Sequence, residues 1–143
     1  MDIRFDTSDA QRRILRVADF ADMLRGPIRE ALRTTAEEIR DDARASMPAR
    51  GRASVSPETP TKQTGALVNM LRVRQPNSRR RDERAYVTTP SGDQYRYPWM
   101  LESGFPRIKG PRPFLVPAAQ RHVTDFVARV ETAIERAARE TNR

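Results

Sequence analysis

From Ile28 to Met47 the chain repeats apolar residues every three or four positions: Ile28, Leu32, Thr35, Ile39, Ala43 and Met47, with Ala31 and Ala36 alongside. That spacing gathers one stripe on one face of a helix, and the stripe has to be buried against another element. Pro48 disfavours helical geometry at Met47 and closes the run. Pro27 suits the first turn, where no N–H is needed. The pattern therefore predicts a helix beginning at Pro27. Upstream, Ile14, Leu15, Ala18, Ala21 and Leu24 recur at similar spacing, widened by Val17 and Phe20. They predict a separate earlier helix, capped by Thr7, Ser8 or Asp9 and ended by Gly26.

A last helix is expected from Pro113 onward, with Ala119, Val123, Phe126, Val130, Ile134 and Ala137 as its stripe. The elements between are shorter. Ile3 and Phe5 alternate in "DIRFD" and read as a short strand. Leu67, Met70 and Leu71 can make a helical turn, and Leu71 to Gln75 alternates as a half-exposed strand. "AYVTT" is β-branched and aromatic, and "PNSRRRDER" separates it from the preceding strand, so the pair predicts a hairpin with a charged tip. In "YPWMLESG", Tyr97, Met100 and Leu101 suit one helical turn with Trp99 at its edge. The order implies an α+β fold, a small antiparallel sheet packed against two or three amphipathic helices. A chain of 143 residues is one ordinary domain. A single domain over 1–143 is expected, with a mobile loop at 48–63, because connections of that length are usually functional or mobile.

Only 37% of the residues are apolar and 32% are charged, which fits a small core or an apolar surface completed by partners. There is no cysteine, which excludes a disulfide framework and thiolate metal sites. The formal net charge is +8, so nucleic acid or an acidic surface is a natural contact. Arginine outnumbers lysine 25 to 2, so a coding bias explains the excess equally well. No run approaches the roughly 20 apolar residues of a membrane span, and no membrane role is expected.

Catalytic chemistry finds no footing. His122 and Asp125 could share a helix face, but Ser103 lacks the strand-to-helix elbow that exposes a nucleophile. Glu37, Glu38, Asp41 and Asp42 form an acidic band, but Arg40 and Arg44 interrupt it and no loop adds oxygen ligands. No phosphate-binding glycine loop occurs. The expectation is no catalytic site, no metal and no cofactor. The basic clusters remain: Arg79, Arg80 and Arg81 at the hairpin tip, Arg72, Arg74 and Arg84 on its legs, Arg50 and Arg52 in the long loop. Guanidinium groups pair with phosphate through parallel N–H bonds. No aromatic is interleaved to stack bases, so such contact would be backbone-directed and salt-sensitive.

The stretch "LESGFPRIKGPRPFLVPA" is built for rigidity. Pro106, Pro111 and Pro113 fix backbone angles, and Gly104 and Gly110 permit sharp reversals. Glu102 can accept bonds from Arg112 or from loop N–H groups, pinning one end of the arch to the other. An ion pair between Glu102 and Arg112 is the expected form, with Phe105 and Phe114 as anchors on either side.

Three segments together resemble a known family. "TGAL", Thr64, Gly65 and Leu67 among its residues, follows the "MPAR" that closes the 28–47 helix. It is similar to the "AP-x-x-TG-x-L" segment of tailed-phage tail-completion proteins, the tail-terminator or head–tail joining neck proteins of long-tailed phages. "YPWMLESG" resembles that family's "Y-x-x-x-x-E-x-G", with Tyr97, Glu102 and Gly104 on the matching positions. "GPRPFLVPA" resembles its "ARPFLRPA", with Arg112, Pro113 and Phe114 matching. Ser103 stands where the family usually has an aromatic, and Pro111 where alanine is common. The likeness runs from Pro27 onward.

The resemblance implies a virion protein of α+β fold that forms a homo-oligomeric ring, typically a hexamer, at the head-proximal end of the tail. Its partners would be sister copies, the tail tube protein and the head stopper or connector. DNA would pass transiently through the lumen, which Arg50, Arg52, Arg79, Arg80 and Arg81 could line. It would sit in the virion neck, and in the host cytoplasm during assembly. Its surfaces would be the 48–63 loop, the basic hairpin and the 103–113 loop. The competing expectation is a small basic nucleic-acid-binding protein.

Overall fold

Two long antiparallel helices make the frame. α1 runs Ser8–Ser46 and α4 runs Leu115–Thr141. Between them come the short helix α2 (Ala66–Met70), strands β1 (Arg72–Arg74) and β2 (Tyr86–Thr88), and the helix α3 (Tyr97–Ser103). The computed structural model describes residues 8–47, 58, 60, 65–75, 83–88, 97–104 and 110–141, with backbone alone at 8–15 and 97. The expected strand at 2–6 lies outside these residues. So do Thr64, Phe105, the basic residues Arg50, Arg52, Arg79, Arg80 and Arg81, and the 48–63 loop apart from Glu58 and Pro60.

The described chain is mostly helical, with one two-stranded antiparallel sheet. The hairpin is as expected. Arg72 faces Thr88, Val73 faces Val87 and Arg74 faces Tyr86. Both readings of the 66–75 segment hold in succession, a helical turn and then a strand. No helix among the described residues is long and apolar enough to cross a membrane.

The expected break at Gly26–Pro27 is corrected. α1 is one helix of 39 residues with Pro27 inside it, about 58 Å long at 1.5 Å per residue. Proline in a helix interior loses one hydrogen bond and costs roughly 3 kcal/mol. The apolar stripes on either side are in phase, however. Ala21, Leu24, Ile28 and Ala31 follow at intervals of three, four and three, so a single seam passes through the proline. Starting a new helix would carry its own nucleation cost.

α1 and α4 meet through small residues. Among the described residues, and prolines aside, six of the ten buried apolar residues are alanines, Ala31, Ala36 and Ala43 on α1 and Ala118, Ala133 and Ala137 on α4. Alanine lets two helices approach closely, so the seam is tight but narrow. The larger core lies at one end, where Met47, Leu71, Leu101 and Phe114 pack with Ala43 and Ala118. This end is where α2, α3 and the start of α4 converge on the end of α1. The hairpin lies across α1, held by Gln75 Nε2 donating to the Arg29 carbonyl at 2.8 Å.

The expected stripe of α4 is also corrected. Ala137 is buried, but Val123 and Ile134 are 56% and 42% exposed. The buried line runs through Ala118, Ala133 and Ala137 instead. Apolar spacing alone cannot choose between two overlapping stripes on one helix. The narrow alanine seam chooses one, which leaves Val123 and Ile134 exposed while Ala119, Phe126 and Val130 of the expected stripe stay half-buried.

Candidate functional site

Gly104 and Gly110 lie side by side, and two sets of hydrogen bonds and one chain reversal build the junction beside them. The Arg112 N–H donates to the Leu101 carbonyl at 2.7 Å, which satisfies a carbonyl in the last turn of α3. Gly104 then reverses the chain with φ 74°. A Cβ there would lie 2.9 Å from the Pro111 nitrogen, so the position needs glycine for space as well as for conformation. Third, the Glu102 carboxylate accepts from three backbone N–H groups at the start of α4. Oε2 takes Phe114 at 3.0 Å and Leu115 at 3.1 Å, and Oε1 takes Val116 at 2.8 Å.

That arrangement completes the account of the α4 N-terminus. A helix leaves its first four N–H groups without internal partners. Here three of them bond one carboxylate, and the fourth position is Pro117, which has no N–H. The negative charge also sits at the positive end of the helix dipole. The expected Glu102–Arg112 ion pair is therefore overturned. The carboxylate does pin the two ends of the arch, but through backbone N–H groups. Arg112 contributes its own N–H, and its side-chain Nε is buried with no hydrogen-bond partner. The helix N-terminus offers three converging donors and a favourable field, which a single guanidinium does not match.

The remaining motif residues fall around this base. Phe114 is 3% exposed and belongs to the core, so it is an anchor for the arch and not part of a presented face. Pro113 is half-buried beside it. Gly65, at φ 75°, opens α2, and its carbonyl accepts from the Asn69 N–H at 3.0 Å. Leu67 packs against the core. Tyr97 is the first residue of α3. The structure thus brings the second and third segments of the likeness into one junction, with Leu67 of the first against the same core.

Two residues stand in places that the sequence reading did not give them. Arg44 reaches from α1 to the end of α2, donating from Nε to the Val68 carbonyl at 3.1 Å and from Nη2 to the Leu71 carbonyl at 2.6 Å. It closes the carbonyl end of a five-residue helix that has no buried residue of its own. Nothing in local spacing announces a contact 24 to 27 residues away. Trp99 is 65% exposed on α3, two residues before the fully buried Leu101. It stands in the open beside the junction that Glu102 closes.

His122 and the acidic band take structural places along the seam. Arg129 grips Glu38 with two bonds, 2.6 and 2.7 Å, and donates to buried Thr35 at 2.9 Å. Arg121 bonds Asp42 at 2.8 Å, and His122 Nε2 lies 3.3 Å from the same carboxylate. The Arg129 guanidinium holds the Glu38 carboxyl below the usual carboxylate range, and Arg121 does the same for Asp42. Half of the acidic band is thus interhelical, and His122 faces α1 carboxylates. Beside this seam, α1, β2 and α4 border an apolar groove of about 390 Å³, with Leu32, Ile39, Val87 and Phe126 among its walls. Comparison with family models, curated proteins and solved structures gave no match.

Proposed function

We propose that this chain is a structural virion protein of the phage neck, a subunit of a ring, hexameric in the reading that the resemblance implies. The ring ends the tail tube and joins tail to head, and the chain acts without catalysis. One observation carries the reading. Glu102, Gly104, Arg112 and Phe114, which bear the likeness, are the residues that build the clasped base of the arch. A junction of this kind is ordered before binding, so docking on it costs little conformational entropy. Trp99, exposed beside it, is the anchor such a surface needs.

In this reading the partners are sister copies, the tail tube protein and the head stopper or connector. DNA passes through the lumen without sequence recognition. The test is joining of purified heads and tails by the recombinant chain, scored as infectious particles and by electron microscopy. Trp99→Ala should keep the parent melting temperature and lower joining at least tenfold, since a buried interface tryptophan is worth roughly 2 kcal/mol or more. A Trp99→Ala protein that joins heads to tails like the parent would overturn the docking role. A parent chain with no joining activity would overturn the neck reading itself.

The alternative, a small basic nucleic-acid-binding protein, has one observation in its favour. Arg72 and Arg74 are exposed on β1, and Arg74 stands across from the exposed Tyr86. That places a cation beside an aromatic, as phosphate and base contacts require. Arg72→Ala with Arg74→Ala should remove most binding to single-stranded DNA at low salt if this reading is right, and leave particle joining untouched.

A further inference from the structure

α1 carries the two poorest helix formers side by side, Gly26 and Pro27, and packing accounts for neither. Pro27 has no N–H, so the Met23 carbonyl lacks its donor four residues on. Gly26 is exposed, and a Cβ built on it would meet nothing within 4 Å. Its backbone is helical, unlike the left-handed Gly65, Gly104 and Gly110. Alanine would fit at this position and hold the helix better. Neither a close approach nor a turn asks for the glycine.

The pair stands where the surroundings of α1 change. Thr141, the last residue of α4, meets Met23 through Oγ1 and Sδ at 3.7 Å. Before that point, from Arg16 to Asp22, every side chain is exposed except the half-buried Phe20. After the pair, Ile28 is half-buried, the Arg29 carbonyl takes the Gln75 amide at 2.8 Å, and Ala31 is buried. Tertiary packing thus grips α1 from Ile28 onward. At the boundary Leu24 is half-buried, and Arg25 reaches Glu83 only at 3.9 Å from a side chain 54% exposed, a weak tether. Pro27 also borders an open space of about 460 Å³ between α1 and α4, with Ala31, Thr34, Ala128 and Ala133 among its walls. The helix therefore has room to bend at this point.

We propose that Gly26–Pro27 is a hinge, about which the arm of α1 from Ser8 to Arg25 swings as a helix while the seam from Ile28 onward stays closed. Sharp bends in helices are placed at proline and glycine. A hinge is a few residues that take up the dihedral change between two parts that keep their own structure. A break held by packing would be a static kink, but the exposed Gly26 and Pro27 leave the angle free. The device sets the direction of the arm apart from that of the body, and it stands independently of the neck reading.

The chain has no cysteine, which permits a pair of spin labels on the full-length protein. Arg16→Cys on the arm and Ala45→Cys on the body both replace exposed residues. Along a straight helix the two positions stand about 44 Å apart. The labelled chain is diluted into unlabelled parent, so that pulsed electron spin resonance reads distances within one chain only. The expected result is a broad distribution that extends well below the straight-helix distance. Gly26→Ala with Pro27→Ala should remove the short-distance part and leave a single peak, with the melting temperature equal to the parent's or higher. Pro27→Ala alone should remove some of the short-distance part. A parent distribution confined to the straight-helix peak overturns the hinge. So does a double variant as broad as the parent, which would place the spread in fraying of the arm. A double variant that melts lower than the parent would show that packing needs the break, and overturns it as well.

Discussion

Glu102 is the residue on which the arch depends. Its carboxylate satisfies three N–H groups that have no other partner in the helix. Glu102→Ala leaves those donors to water or to nothing, at a cost of roughly 1–3 kcal/mol, and thermal unfolding should show the loss. Glu102→Gln keeps an acceptor but loses the charge, so it should fall between the parent and Ala. Gly104→Ala combines a left-handed backbone with a contact at 2.9 Å from Pro111. It should cost about 1–2 kcal/mol for the backbone alone, with the clash added. Arg112 is the informative contrast. With its Nε buried and unbonded, Arg112→Met should leave the melting temperature unchanged or raise it, because removing an unpaired polar group relieves a desolvation cost. A marked loss of stability in Arg112→Met would restore the ion-pair account. The sequence showed that the two ends of the arch are pinned, because a carboxylate and a proline-braced helix start stood twelve residues apart. It offered Arg112 and backbone N–H groups as alternative donors and favoured the guanidinium, because a list of side chains does not show which N–H groups converge on one carboxylate.

At the scale of elements, the hairpin and the 28–47 stripe were legible because each rests on a local period. The continuity of α1 was not legible. Gly26 and Pro27 are strong local punctuation, and only the phase match between the stripes before and after them overrides it. The facing of α4 was equally hidden, since the choice between Val123 and Ala133 as core depends on the alanines of α1. The polar side of the seam makes a prediction of its own. Glu38 and Asp42 titrate below the ordinary carboxylate range because Arg129 and Arg121 hold their charged forms. For a depressed carboxyl the stabilisation is complete above the unfolded value, roughly pH 4, and is lost as pH falls through the lower folded value. The melting temperature should therefore be flat above that range and drop below it. Arg129→Leu should lower it at neutral pH and flatten the acid limb, because Glu38 then has less to lose on protonation. An acid limb identical to that of the parent would assign the drop to other carboxylates.

At the scale of the whole molecule, the proportions explain the low apolar content. The buried apolar residues form a narrow alanine seam and one compact end, while Trp99, Val116, Val123, Val127 and Ile134 stay outside. In the proposed reading, this apolar surface on one helix and beside one rigid junction is where sister copies and neck partners make contact. The net charge of +8 is in keeping with the passage of DNA that the proposed reading requires. The most direct measurement is the mass in solution by light scattering, across protein concentration and at high salt, alone and with the tail tube protein. The neck-ring account predicts a discrete multiple of the 16.4 kDa chain that persists at high salt, because apolar contacts hold it. A particle of single-chain mass under every one of these conditions would contradict it.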